Sequence, residues 1–173
     1  MKNRMEISDD SGFLAIVDAS QYPSFVAENW QLDQLMEHFT TAMNKQQMVM
    51  WQSNNDGGGF WRIDIKDEPS EKEAHRSLEQ TIRVTDGKLF LTNYDDLTMA
   101  AQYEKYKIPS DANDDLVLEL PNGLYKITVR QLFDPAENNY NEEDGDDDFD
   151  FEMIIAAADQ ESAAVDKVIW STI

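Results

Sequence analysis

The side chains with the clearest chemical potential are carboxylates. Between Asp134 and Glu152 the chain reads Asp-Pro-Ala-Glu-Asn-Asn-Tyr-Asn-Glu-Glu-Asp-Gly-Asp-Asp-Asp-Phe-Asp-Phe-Glu, ten acids with no Lys or Arg. Such a block does one of three things. It stays a solvated loop, kept open by like-charge repulsion. It pairs with a Lys/Arg-rich patch of another protein, with neighbouring aromatic residues as anchors. Or it ligates a hard cation such as Ca²⁺, which takes roughly six to eight oxygens. The spacing is wrong for an EF-hand: with Gly145 at the turn position, the first and last ligand positions fall on Tyr140 and Phe151, and neither is a carboxylate. On the docking reading, the partner-binding residues are Glu142, Glu143, Asp144, Asp146, Asp147, Asp148 and Asp150, flanked by Tyr140 and Phe149.

Other chemistry is thinner. Ser53-Asn-Asn-Asp-Gly-Gly-Gly59 is glycine-rich but lacks the Gly-Lys-Ser/Thr ending of a phosphate loop, and it reads as a flexible hairpin tip. His38 and His75 are the only histidines. Glu71 and His75 have i, i+4 spacing, but a zinc site needs a third protein ligand and none is evident. No Gly-x-Ser-x-Gly elbow surrounds any serine. The tryptophans offer stacking surfaces, yet no basic groove accompanies them as single-stranded nucleic acid would require. Catalytic residues, metal ligands and cofactors are therefore not assigned. An enzyme with a carboxylate-based site built from scattered residues is a further alternative.

Charge sharpens the choice. The 173 residues carry 14 Lys+Arg and 35 Asp+Glu, a net charge of −21. Residues 1–133 account for −9 and residues 134–152 for −10, so about half the excess sits in a ninth of the chain. This sign disfavours nucleic-acid backbones and anionic membranes as partners. Cys is absent, which excludes disulfides, thiol nucleophiles and Cys-ligated zinc. There is no signal-peptide pattern and no stretch of about 18 apolar residues, so a soluble cytoplasmic chain is expected.

The positioning elements follow from periodicity. Gly12–Ala19 is a continuous apolar run and reads as a short buried strand. In Gln31–Gln46, Leu32, Leu35, Met36, Phe39 and Met43 share one helical face, with Asn29 as the expected N-cap. That stripe reads as core and not as a cofactor groove. Three hairpins are expected: Gln47–Trp51 with Phe60–Ile65, Thr81–Val84 with Lys88–Leu91 across Asp86-Gly87, and Leu116–Leu120 with Tyr125–Phe133 across Pro121–Leu124. The pairs would include Val84–Leu89, Ile82–Leu91, Leu118–Ile127 and Leu116–Val129. A short helix capped by Asp95 or Asp96 is expected over Leu97–Tyr106, then a strand over Phe149–Ile155 and a last one over Val168–Ile173.

With no βαβ alternation, the fold class is α+β: a mostly antiparallel sheet or sandwich of about eight strands, one main helix and one short helix. A single domain is expected, with an acidic mobile loop at 134–148. The function expected is that of a small acidic binding protein that neutralises a basic partner such as a toxin or nuclease. In size and acidity the chain resembles immunity-type proteins and DNA-mimic inhibitors, a resemblance of composition that no motif carries. A calcium- or small-ligand-binding domain is the alternative.

Overall fold

Strands with no polar alternation must be covered on both faces. The computed structural model, which describes residues 4–54, 57–137 and 149–173, provides that cover for two of them. Among these residues are nine strands and two helices: β1 (Arg4–Asp9), β2 (Phe13–Val17), α1 (Leu32–Asn44), β3 (Met48–Gln52), β4 (Gly59–Lys66), β5 (Arg76–Val84), β6 (Lys88–Asn93), α2 (Tyr94–Gln102), β7 (Val117–Glu119), β8 (Gly123–Gln131) and β9 (Phe151–Ala157). One sheet has the order β1-β4-β9-β8-β5, the other β3-β2-β6-β7. Among the described strands, β4 and β9 are the one pair that runs parallel. The α+β class with mostly antiparallel sheets holds.

Three layers result. Between the sheets lies a core including Leu14, Ile16, Trp51, Trp61, Ile63, Ile82, Ile127, Val129 and Phe151. On the other side of the β3-β2-β6-β7 sheet, Ala15, Val17, Met48 and Met50 pack against Leu35, Phe39, Ala42 and Met43 of α1 and Leu97, Ala100 and Ala101 of α2. The second sheet is thus the middle layer. That is why β2 and β3 are buried at every position.

None of the three expected hairpins forms, although every strand in them exists. β3 lies in one sheet and β4 in the other; β5 and β6 are divided likewise, and so are β7 and β8. β5 pairs with β8, placing Ile82 opposite Tyr125 and Leu78 opposite Val129. β7 pairs with β6, placing Leu89 opposite Leu118. A period-2 pattern states which face is buried. It does not state whether the facing strand lies alongside at about 4.8 Å or across the core at about 10 Å. Asp86-Gly87 still turns, with Gly87 at φ +70°, but the turn carries the chain from sheet to sheet. It docks on the next such crossing: the Gly87 amide donates to Asn122 Oδ1 (2.7 Å) and the Leu120 amide to the Gly87 carbonyl (3.0 Å).

Smaller departures have local causes. β1 has only Met5 and Ile7 as apolar markers, too few to read from sequence. α1 starts at Leu32, with Gln31 at the N-cap position in place of Asn29. Asn93, not Asp95 or Asp96, caps α2, accepting from the Asp96 amide at 2.9 Å. α2 ends at Gln102, before Tyr103 and Tyr106. Residues 168–173 make one bridge, Ile169 to Trp51, and no strand.

The chain from β4 to β5 joins positions on either side of β9 and β8 and must pass over both. Glu152 of β9 and Arg130 of β8 hold it there. The Ser70 amide donates to Glu152 (3.3 Å), and Arg130 bonds Glu152 and the Ser70 and Lys72 carbonyls. Burial raises the Glu152 carboxyl, but Ser70 and Arg130 outweigh it and hold the group below its ordinary value. This contribution is present above the ordinary carboxylate range and is lost as pH falls through the lower folded-state value. Arg130→Met should cost about 2–3 kcal/mol in urea denaturation at pH 7, because it takes the nearest cation from a buried carboxylate and leaves it Lys66 at 3.9 Å and the Ser70 amide. That cost should shrink as Glu152 becomes protonated. A pH-independent cost would mean the ion pair does not pin the crossover.

Candidate functional site

The acidic segment is the connection from β8 to β9, so its position is set by how those strands end. Arg76 pairs with Gln131 at the end of the β5–β8 ladder, and the His75 amide extends that ladder to the Gln131 carbonyl at 2.8 Å. The Leu132 amide then donates to the Asp150 carbonyl (2.9 Å), closing the segment into a neck. The neck is tied to β4 as well. The Asp150 amide donates to the Arg62 carbonyl (2.9 Å), and the Arg62 amide donates to Asp150 Oδ2 (2.7 Å).

Aromatic packing fixes the same place. Phe133 stacks on Trp61 with centroids 5.1 Å apart and planes 8° apart. Phe151 meets both rings edge-on, at 5.5 and 5.8 Å. The Trp61 indole donates to Asp9 Oδ2 at 3.3 Å. Departure and return of the segment are therefore anchored in the inter-sheet core through Phe133 and Phe151.

The expected partner-binding residues divide in three. Tyr140, Glu142, Glu143, Asp144, Asp146, Asp147 and Asp148 lie outside the described residues. Phe149 is half-buried, with the Arg4 guanidinium 5.4 Å from its ring centre. Asp150 is buried, 5% exposed, with its carboxylate on Arg62. It holds the neck rather than presenting charge. Glu152 likewise points its charge at Ser70 and Arg130.

Charge at the surface comes partly from residues that sequence spacing did not bring forward. A shallow groove of about 560 Å³ at the neck is lined by Glu73, His75, Leu132, Phe133, Asp134 and Glu137. His75 Nε2 lies 3.9 Å from Asp134 Oδ1. These groups are some 60 residues apart in the chain, and only the β5–β8 register unites them. The arrangement gathers the Glu73, Asp134 and Glu137 carboxylates and the His75 imidazole beside Leu132 and Phe133. Nearby, burial holds the Arg76 guanidinium below its ordinary value, with Asp134 pulling the other way. Arg76 is itself engaged, donating to Gln131 Oε1 and the Gln52 carbonyl and lying 4.1 Å from the Trp170 ring centre.

The remaining buried carboxylates are structural. Asp18 accepts from the amides and hydroxyls of Ser20 and Thr85. Asp9 accepts from five donors at the corner between β1 and β2. Among the described residues, no group of three or more His, Asp or Glu side chains is placed to hold a metal ion. No helix among them is long and apolar enough to cross a membrane.

No protein-family model matches this chain, and no curated protein matches it. Two solved structures are similar. One, described as crocagin biosynthetic gene J, is 15% identical, with 88% of this chain and 94% of that one covered and a TM-score of 0.59. The other is ComJ from Bacillus subtilis, described as an inhibitor of the DNA-degrading activity of NucA, 12% identical over 90% and 96% of the two chains, with a TM-score of 0.45. At its level of identity, the first similarity is one of fold alone.

Proposed function

We propose that this chain is a non-catalytic binding protein that blocks a basic protein partner, such as a toxin or a nuclease, through the segment 134–152. The observation that carries this is the concentration of charge: nine acids and no base on the connection from β8 to β9, with Glu152 just inside β9, and an anchored neck. Carboxylates in such an array compete for the Lys and Arg side chains with which a nuclease holds phosphates. An anchored neck limits the conformational freedom lost on docking. The buried carboxylates support the non-catalytic part, since Asp9, Asp18, Asp150 and Glu152 are each engaged with structural donors.

The test replaces Glu142, Glu143, Asp144, Asp146, Asp147 and Asp148 with their amides. Proteins captured by the wild-type chain at low salt should be basic. Their affinity for the amide variant should fall by about 100-fold or more, equal to roughly 3 kcal/mol, and wild-type binding should weaken as salt rises. Retention of the same partners by the amide variant would refute the proposal. Millimolar Ca²⁺ should leave the melting temperature unchanged; an upward shift that grows with Ca²⁺ concentration would favour the cation reading.

A further inference from the structure

A second surface lies on the helix layer, away from the neck. Of the five apolar residues on the expected face of α1, only Leu35, Phe39 and Met43 are buried in the core. Leu32 is 43% exposed and Met36 is half-buried. With Thr40 they form an i, i+4, i+8 line beside the core face. This line is one wall of a groove of about 580 Å³, and residues 166–168 with Ile173 form the other. Ile173 is 61% exposed, and Val168 is buried at the base. A volume of this size is in the range of ligand and peptide-anchor pockets, roughly 300–1,000 Å³.

The rim of the groove is predominantly acidic. Asp33 and Glu37 flank the apolar line on α1, and Asp166 faces them from the C-terminal segment. All three are exposed. Lys167 is the one base at the rim, and its ammonium donates to the Ser171 carbonyl at 3.0 Å. No Lys or Arg occurs from Met5 to Asn44, so α1 itself offers no cation to balance Asp33 and Glu37. An apolar floor within an acidic rim complements a helix with Leu-type residues on one face and Lys or Arg at its edges.

We infer that the groove between α1 and the C-terminal segment docks a basic amphipathic helix of a protein partner. This stands independently of the 134–152 segment. The probe is a labelled 18-residue peptide of Leu and Lys in amphipathic helical order, with a scrambled peptide of the same composition as control. Binding is read by fluorescence anisotropy and by the Met36 methyl resonance. The ordered peptide should bind at least about tenfold more tightly than the scrambled one and should move the Met36 methyl. The double variant Glu37→Lys, Asp166→Lys, at two exposed positions, should weaken binding about tenfold or more. The amide variant at residues 142–148 should keep the Met36 response, which separates failure here from failure of the proposed function. The inference is overturned by equal affinity for the scrambled peptide, by an unmoved Met36 methyl in the bound state, or by unchanged affinity in the charge-reversed variant. A Met36 resonance that moves with protein concentration alone would also overturn it, by assigning the groove to a second copy of this chain.

Discussion

Replacing Asp9 with Ala should cost about 2–4 kcal/mol in urea denaturation, the scale for leaving several buried donors without their acceptor. Asp9 is 3% exposed and holds the corner where the chain leaves one sheet for the other. Its Oδ1 accepts from the amides of Ser11 and Gly12, both at 3.0 Å, and of Phe13 at 3.4 Å. Its Oδ2 accepts from Ser53 Oγ at 3.1 Å and Trp61 Nε1 at 3.3 Å. Alanine leaves these buried donors without an acceptor. Because Trp61 is the ring on which Phe133 stacks, the loss should also reach the neck of the acidic segment. Near-ultraviolet circular dichroism from the Trp61–Phe133 stack should diminish before global unfolding. A cost below about 1 kcal/mol would mean the corner does not depend on this carboxylate.

The same carboxyl sets a pH dependence. Burial pushes Asp9 above its ordinary value of 3.8, and the donors from Ser11, Trp61, Ser53 and Gly12 offset part of that rise. A carboxyl with a raised folded-state pKa favours folding while protonated. This contribution is complete below the ordinary value and is lost as pH climbs through the folded-state value. The wild-type chain should therefore lose stability over that climb relative to Asp9→Asn, whose side chain does not titrate there. Parallel denaturation curves across the interval would refute the assignment.

Gly58→Ala should be at least as damaging, above about 4 kcal/mol or enough to prevent folding. A Cβ on Gly58 would stand 1.6 Å from the Asp9 carbonyl oxygen and 2.4 Å from its carbon. These are backbone atoms of the same corner, so no side-chain rotation relieves the clash. Gly87→Ala is the control. Gly87 has φ +70° and nothing within 4 Å, so only the conformational penalty of about 1 kcal/mol applies. If the two variants melt alike, the close approach of the Gly58 backbone to β1 is wrong. Asp9 and Gly58 act on one corner, so their costs should not add.

The Gly-rich loop reads from sequence as a hairpin tip, whereas it joins strands of two different sheets. Gly58 is required by a strand contributed from almost fifty residues earlier in the chain. The neck groove was hidden for the same reason, since Glu73 and Asp134 become neighbours only once β5 pairs with β8. Spacing can group residues within one helix or strand. It cannot group residues joined by a register between strands far apart in sequence.

By itself, the sequence determined the local content: an α+β chain, the inward faces of its strands, the main helix, and one segment holding about half the excess charge. Those follow from side-chain period and composition, which are properties of contiguous residues. Tertiary structure alone decided which strands pair, because the same alternation satisfies a hairpin and a sandwich crossing equally well. It also decided that the Asp150 and Glu152 carboxylates are buried against donors of the sheet and its crossover. A carboxylate's role depends on the donors around it, and those donors, Arg62, Ser70 and Arg130, come from other strands and from the crossover they hold.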